Sequence, residues 1–253
     1  MTLNPIHKVL STLFTRRVRA LLMGGQACIL YGASEFSRDT DIALHASNEN
    51  IELLRDALRH LQARRIALPP FDRTFLEQGH AIHFRSYHPD AFRIRIDVMS
   101  VIRGVDHFED IWARRTPFAL PTGEEIYLMS LPDLVRSKKT QQDKDWPMIR
   151  RLIEADYINN ENPTIERVRF WLRESRTPRI LIELAREYKS ESESILSARS
   201  ILESVYSEDE SAIEEQLEKE QKLEREIDRQ YWKPLLSELE DLRREGYDTE
   251  EEV

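Results

Sequence analysis

Apolar positions recur at helical spacing at the start of the chain, where Ile6, Val9, Leu10 and Leu13 predict an amphipathic helix over 6–14. The period then changes. Val18 to Met23 is a continuous apolar run ending at Gly24-Gly25, which predicts a buried strand and a tight turn. A helix over 26–31 and a short strand over 41–44 follow. Ile51, Leu54, Leu58 and Leu61 then line one face of a helix over 49–62. Two segments, 81–86 and 92–100, alternate apolar and polar residues as strands do. The loop SYHPDA between them predicts antiparallel neighbours.

Beyond Phe118 the pattern reads as helical throughout. Ser130 with Asp133 three residues on resembles a capping box and opens a helix running through Lys139. Further helices are predicted over 147–157, 165–174, 178–188, 193–206 and 211–244, and DTEEEV at the end is expected to fray. Asn159 to Pro163 is the clearest boundary. The pattern therefore predicts an α/β (α+β) core with a small mixed sheet flanked by helices over 1–118. A helical extension over 119–158 and an all-helical, acidic C-terminal region over 159–253 follow it.

Charge sharpens that division. The 253 residues carry a net −9, but residues 190–253 hold 21 acidic and 8 basic side chains, a net of −13. The preceding 189 residues hold 25 acidic and 29 basic, a net of +4. The first part can approach a polyanion and the tail would repel one. Cys28 is the single cysteine, so no intrachain disulfide and no cysteine-rich zinc site is expected, and a reducing cytoplasm is the natural setting. No run of about 18 apolar residues predicts a membrane span. The first residues lack the basic-then-apolar order of a secretory signal. No P-loop, GxGxxG or His/Cys ligand spacing occurs.

The candidate chemistry lies in carboxylates. In Asp39-Thr40-Asp41, residues i and i+2 of an extended segment point to one side, about 6.6–7 Å apart, so two carboxylates can share a hard divalent cation. Asp97 sits centrally in RIRIDVMS, where an unpaired buried charge is costly and a shared cation would offset that cost. Gly24-Gly25, between a strand and a helix, lets backbone N–H groups face an anion. Taken singly, each feature has an ordinary structural reading: a solvated acidic turn, an acid beside Arg95, a tight strand–helix turn. Their order along the chain is what points to a site.

That order resembles the signature of the DNA polymerase β-type nucleotidyltransferase superfamily, and particularly its small bacterial minimal and abortive-infection-type branch. The resemblance rests on MGGQACILYGASEFSRDTDIAL followed by RIDVMS. It implies that Asp39, Asp41 and Asp97 are catalytic and hold two Mg2+ ions, and that Gly24 and Gly25 lie by the phosphates of a nucleoside triphosphate. Arg38, beside the acids, is a candidate phosphate contact or an ordinary surface residue. A second match, SLPDLVRSKKTQQDKDWPMIRRLIE, implies nucleotide-binding roles for Lys138 or Lys139, with Lys144 and Asp145. The implied reaction is transfer of a nucleoside monophosphate, as from ATP, to a hydroxyl acceptor with release of pyrophosphate. Protein, tRNA and small-molecule acceptors all remain open.

One departure leaves an alternative. The residue between the two acids is usually apolar in the family and here is Thr40. A shifted register would make Asp41 the first acid and put Ala43 at the second position. That register implies a degenerate binding module, an antitoxin-like protein whose acidic helical tail meets a protein partner. A glycosyltransferase using DxD is a third reading, although the larger nucleotide-binding sheet it needs is not evident. His83 and Arg85 alternate opposite Ile82 and Phe84 and would line a cleft if their strand neighbours that of Asp97.

Overall fold

The computed structural model describes residues 5–33, 37–121 and 123–248, together with the backbone of residues 251–252. In chain order the elements are α1 (Pro5–Thr15), β1 (Ala20–Met23), α2 (Gly24–Leu30), β2 (Asp39–Leu44), α3 (Asn48–His60), β3 (Arg64–Arg65), α4 (Arg73–Gln78), β4 (Ile82–Arg85) and β5 (Arg95–Met99). They continue with α5 (Phe108–Ala113), β6 (Thr116–Ala119), β7 (Glu125–Leu128), α6 (Leu131–Ser137), α7 (Asp145–Ile158), α8 (Ile165–Glu174) and α9 (Pro178–Glu187). The last are α10 (Lys189–Ser194), α11 (Ile201–Val205), α12 (Glu210–Arg244) and β8 (Glu251–Glu252).

Packing divides the chain into two compact units, one comprising 1–30, 35–137 and 231–253 and the other 31–34 and 138–230. The sequence places boundaries near 118 and 158 instead. The first unit holds a mixed sheet of order β6-β7-β1-β2-β5-β4-β3-β8. Its centre pairs β1 antiparallel and β5 parallel to β2, with β4 antiparallel to β5.

The alternation of β2 and β5 gives this sheet two unlike faces. Ile42, Ile96, Val98, Ile82 and Phe84 point to one side. There they form a continuous core with Val9 and Leu13 of α1 and with Ile51, Leu54 and Leu58 of α3. Asp39, Asp41, Arg95, Asp97 and His83 point to the other. The helix α3 is held at its start by Ser47, whose side chain accepts from the Asn50 N–H.

Thr40 falls on the packed face. It is fully buried, and its Oγ1 has no hydrogen-bond partner among the described residues. A buried hydroxyl without a partner costs free energy that an apolar side chain of the same shape does not. Thr40→Val should therefore raise stability by about 1 kcal/mol, read as a higher denaturant midpoint with unchanged slope. An unchanged or lower midpoint would show the hydroxyl to be satisfied.

Two expectations are corrected here. The chain beyond Phe118 is not helical throughout: β6 and β7 form an antiparallel hairpin, and β7 adds to the sheet parallel to β1. The run EIYL is only four residues long, too short for its period to separate strand from helix. The helix expected over 193–206 is broken into α10 and α11. At the end of the chain, where fraying is expected, the backbone of Glu251 and Glu252 pairs with Arg64 and Arg65 of β3. Residues 249, 250 and 253 lie outside the described residues.

The capping box is present and does more than cap. Ser130 Oγ donates to Asp133 Oδ2 at 2.6 Å, and the fully buried Asp133 also receives two bonds from Arg114, at 2.6 and 2.8 Å. This charge-assisted fork ties the start of α6 to the segment before β6. Hydrogen bonds from Arg114 to Asp133 and Asp106 outweigh burial and raise the guanidinium's pKa, keeping it charged.

The second unit is helical. Val168, Trp171, Leu172, Leu181 and Leu184 form buried stripes on α8 and α9, as the periodicity predicts. A partly buried ion network crosses it: Arg176 and Arg199 both bind the Glu220 carboxylate, at 2.6 and 2.9 Å. Arg199 also donates to the carbonyls of Leu172 and Ser175. Burial alone would raise the Glu220 pKa, but the two guanidiniums overcome it and hold it below its ordinary 4.5. A depressed folded-state pKa means the pair stabilises the fold above the unfolded value and loses that contribution as pH falls through the folded one. Glu220→Gln should lower stability at pH 7 by roughly 1–2 kcal/mol. It should also flatten the loss of stability below about pH 4.5, measured by denaturation at a series of pH values.

The helix α12 runs without interruption from Glu210 to Arg244 although Pro234 lies within it. Its residues from Tyr231 onward belong to the first unit. There Glu238 bonds the buried His80 Nε2 at 2.8 Å. The Tyr231 hydroxyl lies 2.8 Å from where a Cβ on Gly79 would stand. Gly79, at φ +101, is the left-handed cap of α4, so that position favours glycine both for its backbone and for the tyrosine above it.

Candidate functional site

The charged face of the sheet is assembled by strand register. In the parallel pair of β2 and β5, Asp41 stands opposite Asp97 and Asp39 opposite Arg95. On the far side of β5, His83 of β4 is directly opposite Asp97. On the far side of β2, Met23 of β1 is opposite Asp41. Neighbouring strands lie about 4.8 Å apart, so the three aspartates occupy adjacent positions on one face.

Asp41 fits against the start of α2. A Cβ placed on Gly24 would lie 1.8 Å from Asp41 Oδ2, 2.4 Å from its Cγ and 2.7 Å from its Cβ. Gly24 also has φ +66. Glycine is needed there on both counts. The Gly24-Gly25 pair does not form a turn ahead of a helix, as the sequence suggests; β1 runs directly into α2, whose first residues they are.

Asp97 is held on one oxygen. Its Oδ1 lies 2.8 Å from His83 Nδ1 and accepts from Arg95 Nε at 2.7 Å, while an Arg95 terminal nitrogen is 3.0 Å from the same His83 nitrogen. Burial pushes the Asp97 carboxyl up, but the hydrogen bonds and charges of His83 and Arg95 outweigh it and hold the pKa below the ordinary carboxylate range. Arg95 is partly desolvated, which works against its charge, yet the fields of Asp97, Asp39 and Asp41 together raise its pKa. The guanidinium thus feels all three carboxylates at once.

His83 is the residue whose role sequence reasoning understates. Its alternation with Ile82 and Phe84 places it on the charged face, but only the β4–β5 register shows that it meets Asp97. Arg38, expected beside phosphate, is exposed and immediately precedes β2.

The second expected set lies in the other compact unit. Lys138 Nζ donates to Asp145 Oδ1 at 3.0 Å, and Thr140 Oγ1 donates to Asp145 Oδ2 at 2.5 Å. Lys139 pairs with Glu174 at 2.7 Å. Lys144 is the exposed residue preceding α7. Asp145, nearly fully buried, therefore closes the turn ahead of α7 and holds one of the two candidate lysines.

For a divalent cation, the donors suit in kind. Carboxylate oxygens are the hard ligands that magnesium takes, and Asp39, Asp41 and Asp97 share a face. In this side-chain arrangement, however, no three or more His, Cys, Asp or Glu among the described residues stand grouped as a metal site. Arg95 supplies positive charge to the carboxylates instead.

No family model matches the chain. No curated protein matches it. A crystal structure of a candidate nucleotidyltransferase from H. pylori is similar to 85% of this chain and 94% of that one, at 14% identity and a TM-score of 0.41. Among the described residues no helix is long and apolar enough to cross a membrane.

Proposed function

We propose that the protein is a metal-dependent nucleotidyltransferase that moves a nucleoside monophosphate from a nucleoside triphosphate to a hydroxyl acceptor. The observation that carries this reading is the register that sets Asp41 opposite Asp97, with Asp39 on the same face and Gly24 making room for the Asp41 carboxylate. The burial of β2 also favours Asp39 and Asp41 as the paired acids over the shifted register: both are partly accessible, whereas Ala43 is buried.

Asp39, Asp41 and Asp97 would hold magnesium, which when bound neutralises the triphosphate and the charge developing at the transferred phosphorus. The chain's own part is positional. Asp41 is fixed from below by Gly24 and from the side by the sheet. His83 and Arg95 keep Asp97 ionised, so that one of its oxygens can take the proton of the acceptor hydroxyl. Arg95 must give up its hold on Asp97 when a cation enters.

The test is incubation with each labelled nucleoside triphosphate, magnesium and a cell lysate, followed by separation of protein, RNA and small molecules. Label transferred to one class identifies the acceptor. No transfer from any triphosphate, with the protein folded, would overturn the reading.

The Arg95–Asp97 contact favours a second reading, in which the guanidinium serves permanently as the cation of the cluster and the fold acts as a binding module for a protein partner. Magnesium titration calorimetry separates the two, because a module of that kind takes up no ion.

A further inference from the structure

A cavity of about 460 Å³ opens on the sheet face opposite the aspartates. Its floor is aliphatic, made by Leu10 and Leu13 of α1, Leu22 of β1, Ile42 of β2 and Ile126 of β7. Ile42 lies on the packed side of β2, so this space is distinct from the carboxylate cluster. Its size is that of a small-molecule pocket. Phe14, Trp112 and Tyr127 surround it nearer the surface, together with Arg17 and Arg19.

The two arginines differ. Arg19 is neutralised by a bidentate pair with Glu109, both bonds at 2.7 Å, and stacks over Trp112. Arg17 makes no ion pair among the described residues and is exposed. It also occupies a backbone position that favours glycine. The end of α1 is closed by Arg17 N–H to Phe14 O and Val18 N–H to Leu13 O, with Arg17 at φ 58. That is the left-handed cap at which helices usually place glycine. An arginine there accepts backbone strain while setting a cation beside an apolar cavity.

We propose that this cavity binds an amphipathic anion: one unbranched hydrocarbon chain on the aliphatic floor, with a carboxylate at Arg17. The aliphatic floor suits a flexible chain, and the aromatic residues suit the boundary between chain and head group. Charge complementarity selects an anion over a neutral or cationic head. The site is independent of nucleotidyl transfer and stands or falls separately from it.

Titration calorimetry of the full chain with decanoate should show one saturable site, about tenfold or more tighter than for decyltrimethylammonium, which has the same chain and the opposite charge. Arg17→Gly should abolish that preference while folding at least as stably as the parent, because glycine adopts the left-handed cap without strain. Ala20→Phe projects from β1 into the cavity and should prevent binding of either ligand. Absence of saturable decanoate binding, or binding that neither substitution changes, would overturn the assignment.

Discussion

Replacing Asp41 with asparagine should reduce nucleotide transfer by about 10³-fold or more while leaving the denaturation midpoint nearly unchanged. The substitution is close to isosteric, so the fit against Gly24 and the β1–β2–β5 pairing are retained. What is lost is one negative charge and a hard oxygen facing Asp97. If catalysis depends on a cation shared by these carboxylates, that loss falls on the transition state. Asp97→Asn should behave likewise, and its remaining side-chain oxygen can still accept from Arg95. Steady-state transfer assays alongside chemical denaturation make the comparison. Wild-type rates in both variants would remove the aspartates from the mechanism.

Gly24→Ala should damage both fold and site. A Cβ there meets the Asp41 carboxylate at 1.8 Å, and it also meets Asp41 Cβ at 2.7 Å, an atom fixed by the strand. Rotating the carboxylate away cannot relieve the second contact, so β2 or the start of α2 must shift. The left-handed φ of +66 adds the usual penalty for a side chain. Together these effects should cost about 2–5 kcal/mol, seen as a lower denaturant midpoint, with transfer falling as Asp41 is displaced. Gly25→Ala is the control. Among the described residues its Cβ would meet Ser37, at 2.6 Å from Oγ and 2.8 Å from Cβ, and its φ lies outside the left-handed range. Its effect should be the smaller of the two. Equal stability of Gly24→Ala and the parent would show that this close approach is not needed.

The sequence shows much of this architecture because its cues are local. Alternation in RIRIDVMS and HAIHFRS marks β5 and β4, and the 3.6-residue period marks α1, α3, α8 and α9. Asp39 and Asp41 share a side for the same reason, since the period of an extended chain is two. Short elements are less legible. Four residues in β7 and two in β3 carry too little pattern, and they become strands only because neighbouring strands offer backbone partners.

What the sequence by itself determined was the longer helices, the central strands and the side on which each carboxylate lies. It could not determine which strands adjoin. That Asp97 faces Asp41, that His83 meets it, and that Gly24 lies beneath Asp41 all depend on register between separate segments of the chain, whereas Arg95 reaches Asp97 from two residues away on the same strand. The same holds for α12, which reads as one charged helix of an acidic tail but contributes residues to both compact units. Local propensity fixes a helix or strand through contacts a few residues away. Where an acid meets a partner on another strand is decided by packing across the whole core, where burial and charge act between residues the sequence keeps apart.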